Sequence, residues 1–438
     1  MFYNHAQDLF NVHPRRTTPL SSTPATPYLH HHLIVICGCS VWLIAFHASA
    51  DRTEKTQARK RNHINNRGIA VRPPNDKGEV MQQEWQQQLR QFVNTTESLE
   101  KFVNLTDAER KALEDNRTTW GTTPYFASLM DPDDVNCPIR KQVIPSPQEK
   151  VNKYGKTDYL MWKENRATEE VRPDSIARQY EDRVAFTVTQ NCGIYCRHCF
   201  RKELVVDGDL SFDFNVDDGL RWIAEHPEVR DVLITGGDPF LLSDEKLDYL
   251  VSKLREIDHV EMIRFGSRAP IVLPQRITPG LKKVLGGFHK VPIWVNTQCN
   301  HPKELTEETA RGVYDLLSCG VNVGNQAVLL KGINDDVETF RELHQKLLRF
   351  RIRPYYVFYC EPAPGIDHFR TPVEKGAELI RDALRGHTTG LAQPMYVIAT
   401  NIGKIPLMPD YYILGHDDKE YTLRNHKGQT TTIPNVPE

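Results

Sequence analysis

The residues of this chain best suited to chemistry are Cys192, Cys196 and Cys199, in the run Asn191-Cys192-Gly193-Ile194-Tyr195-Cys196-Arg197-His198-Cys199-Phe200. Scattering 9 cysteines at random over 438 positions would give this C-x3-C-x2-C spacing only roughly 0.004 times, so chance explains it poorly. Three thiolates converging in one loop point to a metal. Structural zinc wants four ligands in a closed tetrahedron, and no second Cys/His pair lies at zinc spacing nearby. A [4Fe-4S] cluster held by three thiolates leaves one iron open, and an open iron can chelate the amine and carboxylate of a small molecule. Further along, Gly236-Gly237-Asp238 offers a backbone that a ligand can approach closely, because no side chain intervenes. The other six cysteines (Cys37, Cys39, Cys137, Cys299, Cys319, Cys360) are scattered and read as small buried hydrophobes. An odd total in so long a chain argues against a secreted cystine framework.

Positioning such a loop takes a rigid scaffold, and the texture after Arg183 supplies one: an apolar β-branched run, a turn, then an amphipathic helix, repeated as βα units require. Strands are predicted at Ala185 to Thr189, Asp231 to Thr235, Glu261 to Phe265, Ile293 to Thr297, Val321 to Gln326 and Pro354 to Tyr359. Their nearly continuous apolar character predicts a parallel sheet covered on both faces. Ser243 is placed to cap a helix carrying Leu247, Leu250, Val251 and Leu254, and Thr306 another that ends at Gly320. The fold class is α/β, a partial (β/α)6 open barrel, and in such folds functional residues gather at the carboxyl ends of the strands. The cysteine loop and the glycine pair both fall there. Upstream, Trp85, Leu89, Phe92 and Val93 recur near a 3.6 period and Thr106 opens a second run, which predicts helices from Met81 to Asn116.

The organisation expected is a leader over 1–80, an N-terminal helical cover over 81–180, the barrel over 181–390 and a β-rich extension over 391–438. In the leader, the apolar run Leu33 to Phe46 falls short of the roughly 20 residues a membrane span needs. Arg15, Arg16 and many Ser/Thr, with Asp8 the one acid before residue 51, give a weak mitochondrial signature, so mitochondrial and cytoplasmic locations both stay open. The sequons at Asn94, Asn104 and Asn116 matter only in a secreted protein. Lys+Arg 55 against Asp+Glu 57 gives no reason to expect nucleic acid as a partner. A small-molecule substrate is the expectation.

The cysteine loop resembles the radical S-adenosylmethionine signature, and the resemblance narrows to the lysine 2,3-aminomutase family over about Tyr125 to Pro434. It is carried by Asp131-Pro132-Asp133-Asp134, Arg183, Tyr195 to Cys199, Gly236 to Asp238, Gly266-Ser267-Arg268, Leu273 to Thr278, Gly324-Asn325-Gln326, Arg353 to Tyr356, His368 to Pro372 and Gly403-Lys404-Ile405-Pro406-Leu407-Met408-Pro409. The resemblance implies a barrel of the radical SAM type. It implies a [4Fe-4S] cluster on the three cysteines, S-adenosyl-L-methionine on the open iron, and Gly236, Gly237 and Asp238 at the methionine amino group. It places pyridoxal 5′-phosphate on Lys404, with Arg183 and Gln326 as polar neighbours. An imine to pyridoxal gives nitrogen the low-lying orbital through which a radical can carry it between adjacent carbons. An electron donor for the cluster is implied as well.

The implied substrate contacts are Arg201 for an α-carboxylate, whose planar fork suits it, and Glu361 for a distal ammonium. Here the chain departs from the family, which uses two aspartates: Glu361 stands at the first place, and Ala399-Thr400-Asn401 brings no carboxylate to the second. Gln298 replaces a family histidine. The zinc-binding cysteine tail of some members has no counterpart before Glu438, so homo-oligomer formation is left open. The activity expected is a 2,3-aminomutase acting on L-lysine or a close cationic amino acid. The alternatives are a mutase acting on a protein-attached lysine and a catalytically silent iron-sulfur protein.

Overall fold

A computed structural model describes residues 34–37, 40–43, 78–115, 119–155, 172–202, 215–400, 403–407, 413–425 and 427–434. Arg15 and Arg16, Cys39, the sequon at Asn116, and Asn401, Met408 and Pro409 lie outside them. The chain divides into two units, Met1–Pro73 and Pro74–Glu438. In the first, β1 (Ile34–Cys37) and β2 (Ser40–Leu43) pair antiparallel within the apolar run, as its β-branched residues favour. Among the described residues, no helix is long and apolar enough to cross a membrane.

The second unit opens with the helix Gly78–Arg90. Periodicity predicts helix through Phe92 and Val93, yet Val93 pairs with Thr122 in an antiparallel bridge. Helix resumes in two short pieces, Thr96–Leu99 and Asp107–Glu114, where Thr95 and Thr106 each close a capping box and satisfy the first free N–H groups.

The six predicted strands form β4 (Arg183–Thr187), β5 (Asp231–Thr235), β6 (Met262–Gly266), β7 (Ile293–Thr297), β8 (Asn322–Leu329) and β9 (Arg353–Tyr359), each parallel to the next. Three further strands extend the sheet. The strand β3 (Ile176–Tyr180) runs antiparallel to β4, β10 (Met395–Thr400) parallel to β9, and β11 (Gly403–Pro406) antiparallel to β10. The two edges then meet: Tyr180 Oη accepts the Lys404 N–H at 2.8 Å and Gln179 Nε2 donates to the Thr400 carbonyl at 2.5 Å. These bonds bring the nine-stranded sheet close to a closed barrel and blunt its edges. A separate antiparallel sheet follows, β12 (Ile413–His416), β13 (Glu420–Arg424) and β14 (Thr430–Pro434).

Outside the barrel, Ser243 caps the helix Asp244–Glu256, whose Leu247, Leu250, Val251 and Leu254 are buried, each worth roughly 1.5–3 kcal/mol. Thr306 caps Glu307–Ser318, and Gly320 takes the left-handed φ of +89° that ends it. Val232, Ile234, Ile263, Phe265 and Val295 are fully buried between sheet and helices. The other face departs from the expectation of full cover. Ala185, Leu233 and Arg264, in register across β4 to β6, are only partly buried, because they line a cavity inside the barrel.

Candidate active site

The cysteine loop leaves the carboxyl end of β4 and is held from both sides. On one side the N-terminal segment grips it: Ile194 bridges to Thr122, the Tyr195 N–H reaches the Gly121 carbonyl at 2.9 Å, and the Arg197 N–H reaches the Gln142 carbonyl at 3.0 Å. Arg197 is 1% exposed and grips Glu149 with both arms, one at 2.8 Å to Oε1 and the other to Oε2. Lys202 Nζ joins the same carboxylate at 3.4 Å. On the other side runs the glycine pair. The Gly237 N–H bonds the Thr189 carbonyl at 2.6 Å and the Asp238 N–H bonds the Asn191 carbonyl at 2.7 Å. A Cβ on Gly236 would lie 2.1 Å from the Thr189 oxygen, and one on Gly237 2.3 Å from the Asn191 oxygen. The pair is therefore glycine first because two stretches of backbone cross there, a demand separate from any ligand.

Asp238 is buried, and its carboxylate accepts from Ser267 Oγ at 2.7 Å and from the N–H groups of Phe240, Arg268 and Ala269 at 2.9–3.0 Å. Burial still pushes it up to about 6, against those bonds. Both oxygens thus brace the turn after β6.

The three thiols are free and close enough to feel one another. Burial pushes Cys192 well up, helped by Asp238, Cys199 and Cys196; burial and then Cys196 push Cys199 up to about 11.

The cysteines line a pocket of about 220 Å³ together with Gly236, Gly237, Ser267, Asn296 and Thr297. Three buried polar atoms on its wall, His198 Nδ1, Asn296 Nδ2 and Thr297 Oγ1, have no hydrogen-bond partner. Such atoms suit a polar ligand. Beside it lies the barrel cavity of about 470 Å³, and His198, Phe200, Arg201, Gln326, Val328 and Phe358 line both. Lys404, Arg183 and Glu361 face the cavity, so each candidate cluster, cofactor and substrate residue named from the sequence lines one pocket or the other.

Charge in the cavity is lopsided. Arg172, Arg178, Arg183, Arg201, Arg264 and Lys404 line it with one carboxylate, Glu361. Glu361 is 7% exposed, its Oε2 has no hydrogen-bond partner, and burial pushes it up to about 8 although Arg201 and Lys404 pull the other way. Lys404 is open to the cavity yet lowered, by desolvation and then by the Arg264 and Arg183 cations. Arg201 Nη1 donates to Thr235 Oγ1 at 3.1 Å and the Gly236 carbonyl at 3.2 Å, fixing its head at the junction. Arg183 lies over the Tyr180 ring at 4.2 Å.

A family model described as lysine-2,3-aminomutase matches residues 381–438, and a Radical SAM superfamily model matches residues 186–344. The L-lysine 2,3-aminomutase of Clostridium subterminale is 44% identical over 356 residues, which cover 80% of this chain and 83% of that protein. The chain belongs to the lysine 2,3-aminomutase family. The Bacillus subtilis L-lysine 2,3-aminomutase is 41% identical over 80% of this chain and 74% of its own length. The glutamate 2,3-aminomutase of Clostridioides difficile is 36% identical over 80% and 82%. The family is one of isomerases of the radical SAM class, and membership implies a [4Fe-4S] cluster, S-adenosyl-L-methionine and pyridoxal 5′-phosphate.

The residues present fit that set: a thiol-lined pocket with unsatisfied polar atoms, opening onto a cation-rich cavity with a lowered lysine. Sequence reasoning missed Arg264, Arg178 and Tyr180 in the cavity wall and Glu149 behind the loop. Arg264 sits mid-strand, where an inward-pointing arginine among apolar neighbours was a usable signal. Glu149 and Arg197 are far apart in sequence and carried none.

Proposed function

We propose that this chain is a 2,3-aminomutase of L-lysine or a close cationic amino acid, with Cys192, Cys196 and Cys199 holding the cluster and Lys404 holding pyridoxal 5′-phosphate. The observation that carries this reading is the shared wall. A thiol pocket and a lysine-bearing cavity meet at Arg201 and Gln326, so a group activated in one is adjacent to a substrate held in the other. When bound, the cofactors supply radical chemistry and a conjugated system that can relay an amino group between neighbouring carbons.

The chain's own residues do the rest. Burial and the neighbouring arginines make Lys404 Nζ give up its proton more readily, and the neutral amine is the form that joins an aldehyde. Of the six cations in the wall, Arg178, Arg183 and Arg264 hold Glu228, Asp182 and Asp231; Arg201, Arg172 and Lys404 beside them suit anionic groups, a cofactor phosphate and a substrate α-carboxylate. Arg201, anchored by Thr235 and Gly236, presents its fork at the junction and orients that carboxylate. Glu361, with an unpartnered oxygen, receives the distal ammonium. Ala399 in the same wall brings no second carboxylate, so Glu361 alone supplies the negative charge there.

The test is an anaerobic assay of the reconstituted full chain with lysine, ornithine, arginine and glutamate, following β-amino products. Turnover of a diamino acid and none of glutamate is expected; turnover of glutamate alone would sink the substrate assignment. In Lys404→Ala the absorbance of bound pyridoxal is expected to vanish while that of the cluster stays.

A further inference from the structure

We propose that Arg268 is a positioning residue for the cluster: clamped by buried Gln142 and Glu304, it donates an N–H to the Cys196 sulfur and thereby raises the cluster's reduction potential. The inference rests on the cluster reading above and adds a residue to it.

Arg268 follows the carboxyl end of β6, and each nitrogen of its guanidinium is committed. Nη1 donates to Cys196 Sγ at 2.8 Å, Nε to the Gln298 carbonyl at 3.1 Å, and Nη2 to Gln142 Oε1 at 2.7 Å and Glu304 Oε2 at 2.9 Å. The partners are fixed in turn. Glu304 is fully buried, and its Oε1 accepts from Gln142 Nε2 at 2.9 Å and from the N–H groups of Asn300 and His301 at 3.0 and 2.9 Å. The Arg268 N–H itself bonds Asp238 Oδ2 at 2.9 Å, and Phe126 packs under the guanidinium at 5.4 Å. With 7% of Arg268 exposed, the head cannot swing away from the sulfur. Four acceptors met by three nitrogens exceed the three N–H groups that a lysine ammonium carries at a single point, so lysine would not fully replace it.

The consequence follows from charge. Adding an electron to the cluster places more negative charge on its thiolates, and a fixed N–H dipole aimed at one of them stabilises the reduced state more than the oxidised one. Glu304 neutralises the arginine's net charge but bonds the other arm, Nη2, so the Nη1 donor facing Cys196 keeps its effect. Burial of the whole network keeps the local dielectric low, which strengthens that contact.

The measurement is a redox titration of the anaerobically reconstituted full chain, followed by electron paramagnetic resonance, for wild type, Arg268→Lys and Arg268→Gln, with iron and sulfide assayed in each. The expected result for Arg268→Gln is a ratio of reduced to oxidised cluster about tenfold lower at a fixed potential, a fall of about 59 mV for one electron. Arg268→Lys should fall by less. In parallel, wild type labelled with guanidino-15N arginine should show a nitrogen coupling to the reduced cluster in pulsed resonance. A variant with its full cluster and an unchanged potential overturns the inference, as does labelled wild type with no coupling, which decides the matter if neither variant loads. Wild type that binds no iron and sulfide would overturn the cluster reading itself.

Discussion

Replacing Glu361 with glutamine tests the electrostatics of the cavity directly. Burial raises this carboxyl from its ordinary 4.5 to about 8 in the folded chain. A carboxyl with a raised folded-state value contributes stability that is fully present below pH 4.5 and is lost as the pH climbs through about 8. At about 1.4 kcal/mol per pH unit, the interval between the two values corresponds to about 5 kcal/mol. Of this, about 3 kcal/mol falls between pH values of about 5.5 and 8.5. The Glu361→Gln chain lacks this ionisation, so wild type should lose that amount relative to the variant over the same range. The assay is urea unfolding of the substrate-free protein, followed by tryptophan fluorescence under anaerobic conditions. Stability profiles that run parallel with pH would refute the reasoning, because they would mean Glu361 is ionised throughout, with enough unseen water or counter-charge to hold it there.

Two further outcomes concern the loop that carries the cysteines. Glu149→Ala strips the partner from Arg197, which is 1% exposed, and from Lys202; removing one side of a buried pair costs about 3–5 kcal/mol. Lower thermal stability together with reduced iron per chain after reconstitution is expected. Gly236→Ala puts a Cβ 2.1 Å from the Thr189 oxygen at a φ of +138°. Strain and overpacking together should cost about 2–5 kcal/mol, and the iron content should fall because the loop has to shift; full cluster loading at wild-type stability would contradict the crossing described above.

The strands β4 to β9 were legible because each is a short β-branched run between turn residues, with a capped amphipathic helix beside it. The strands β3 and β11 were not: Ile-Ala-Arg-Gln-Tyr and Gly-Lys-Ile-Pro show no apolar pattern, and they become strands by pairing with β4 and β10. Phe92 and Val93 were drawn into a helix by their spacing, when the deciding fact was a bridge to Thr122. The glycine pair was legible as a place where side chains are forbidden, although the backbone it accommodates belongs to the cysteine loop.

By itself the sequence determined the chemistry: three thiols at a fixed spacing, a lysine in a particular run, and an arginine two residues past the last thiol. Those are local facts, set by covalent order. Tertiary structure alone decided that the thiol pocket and the lysine cavity share a wall, that Arg201 and Lys404 act on the buried Glu361 carboxyl, and that Arg268 and Glu149 stand behind the cysteines. Such pairings join residues as far apart as Tyr180 and Lys404, or Cys196 and Arg268. They exist only once the barrel has curled, because charge and hydrogen bonding act through space, with no regard to distance along the chain.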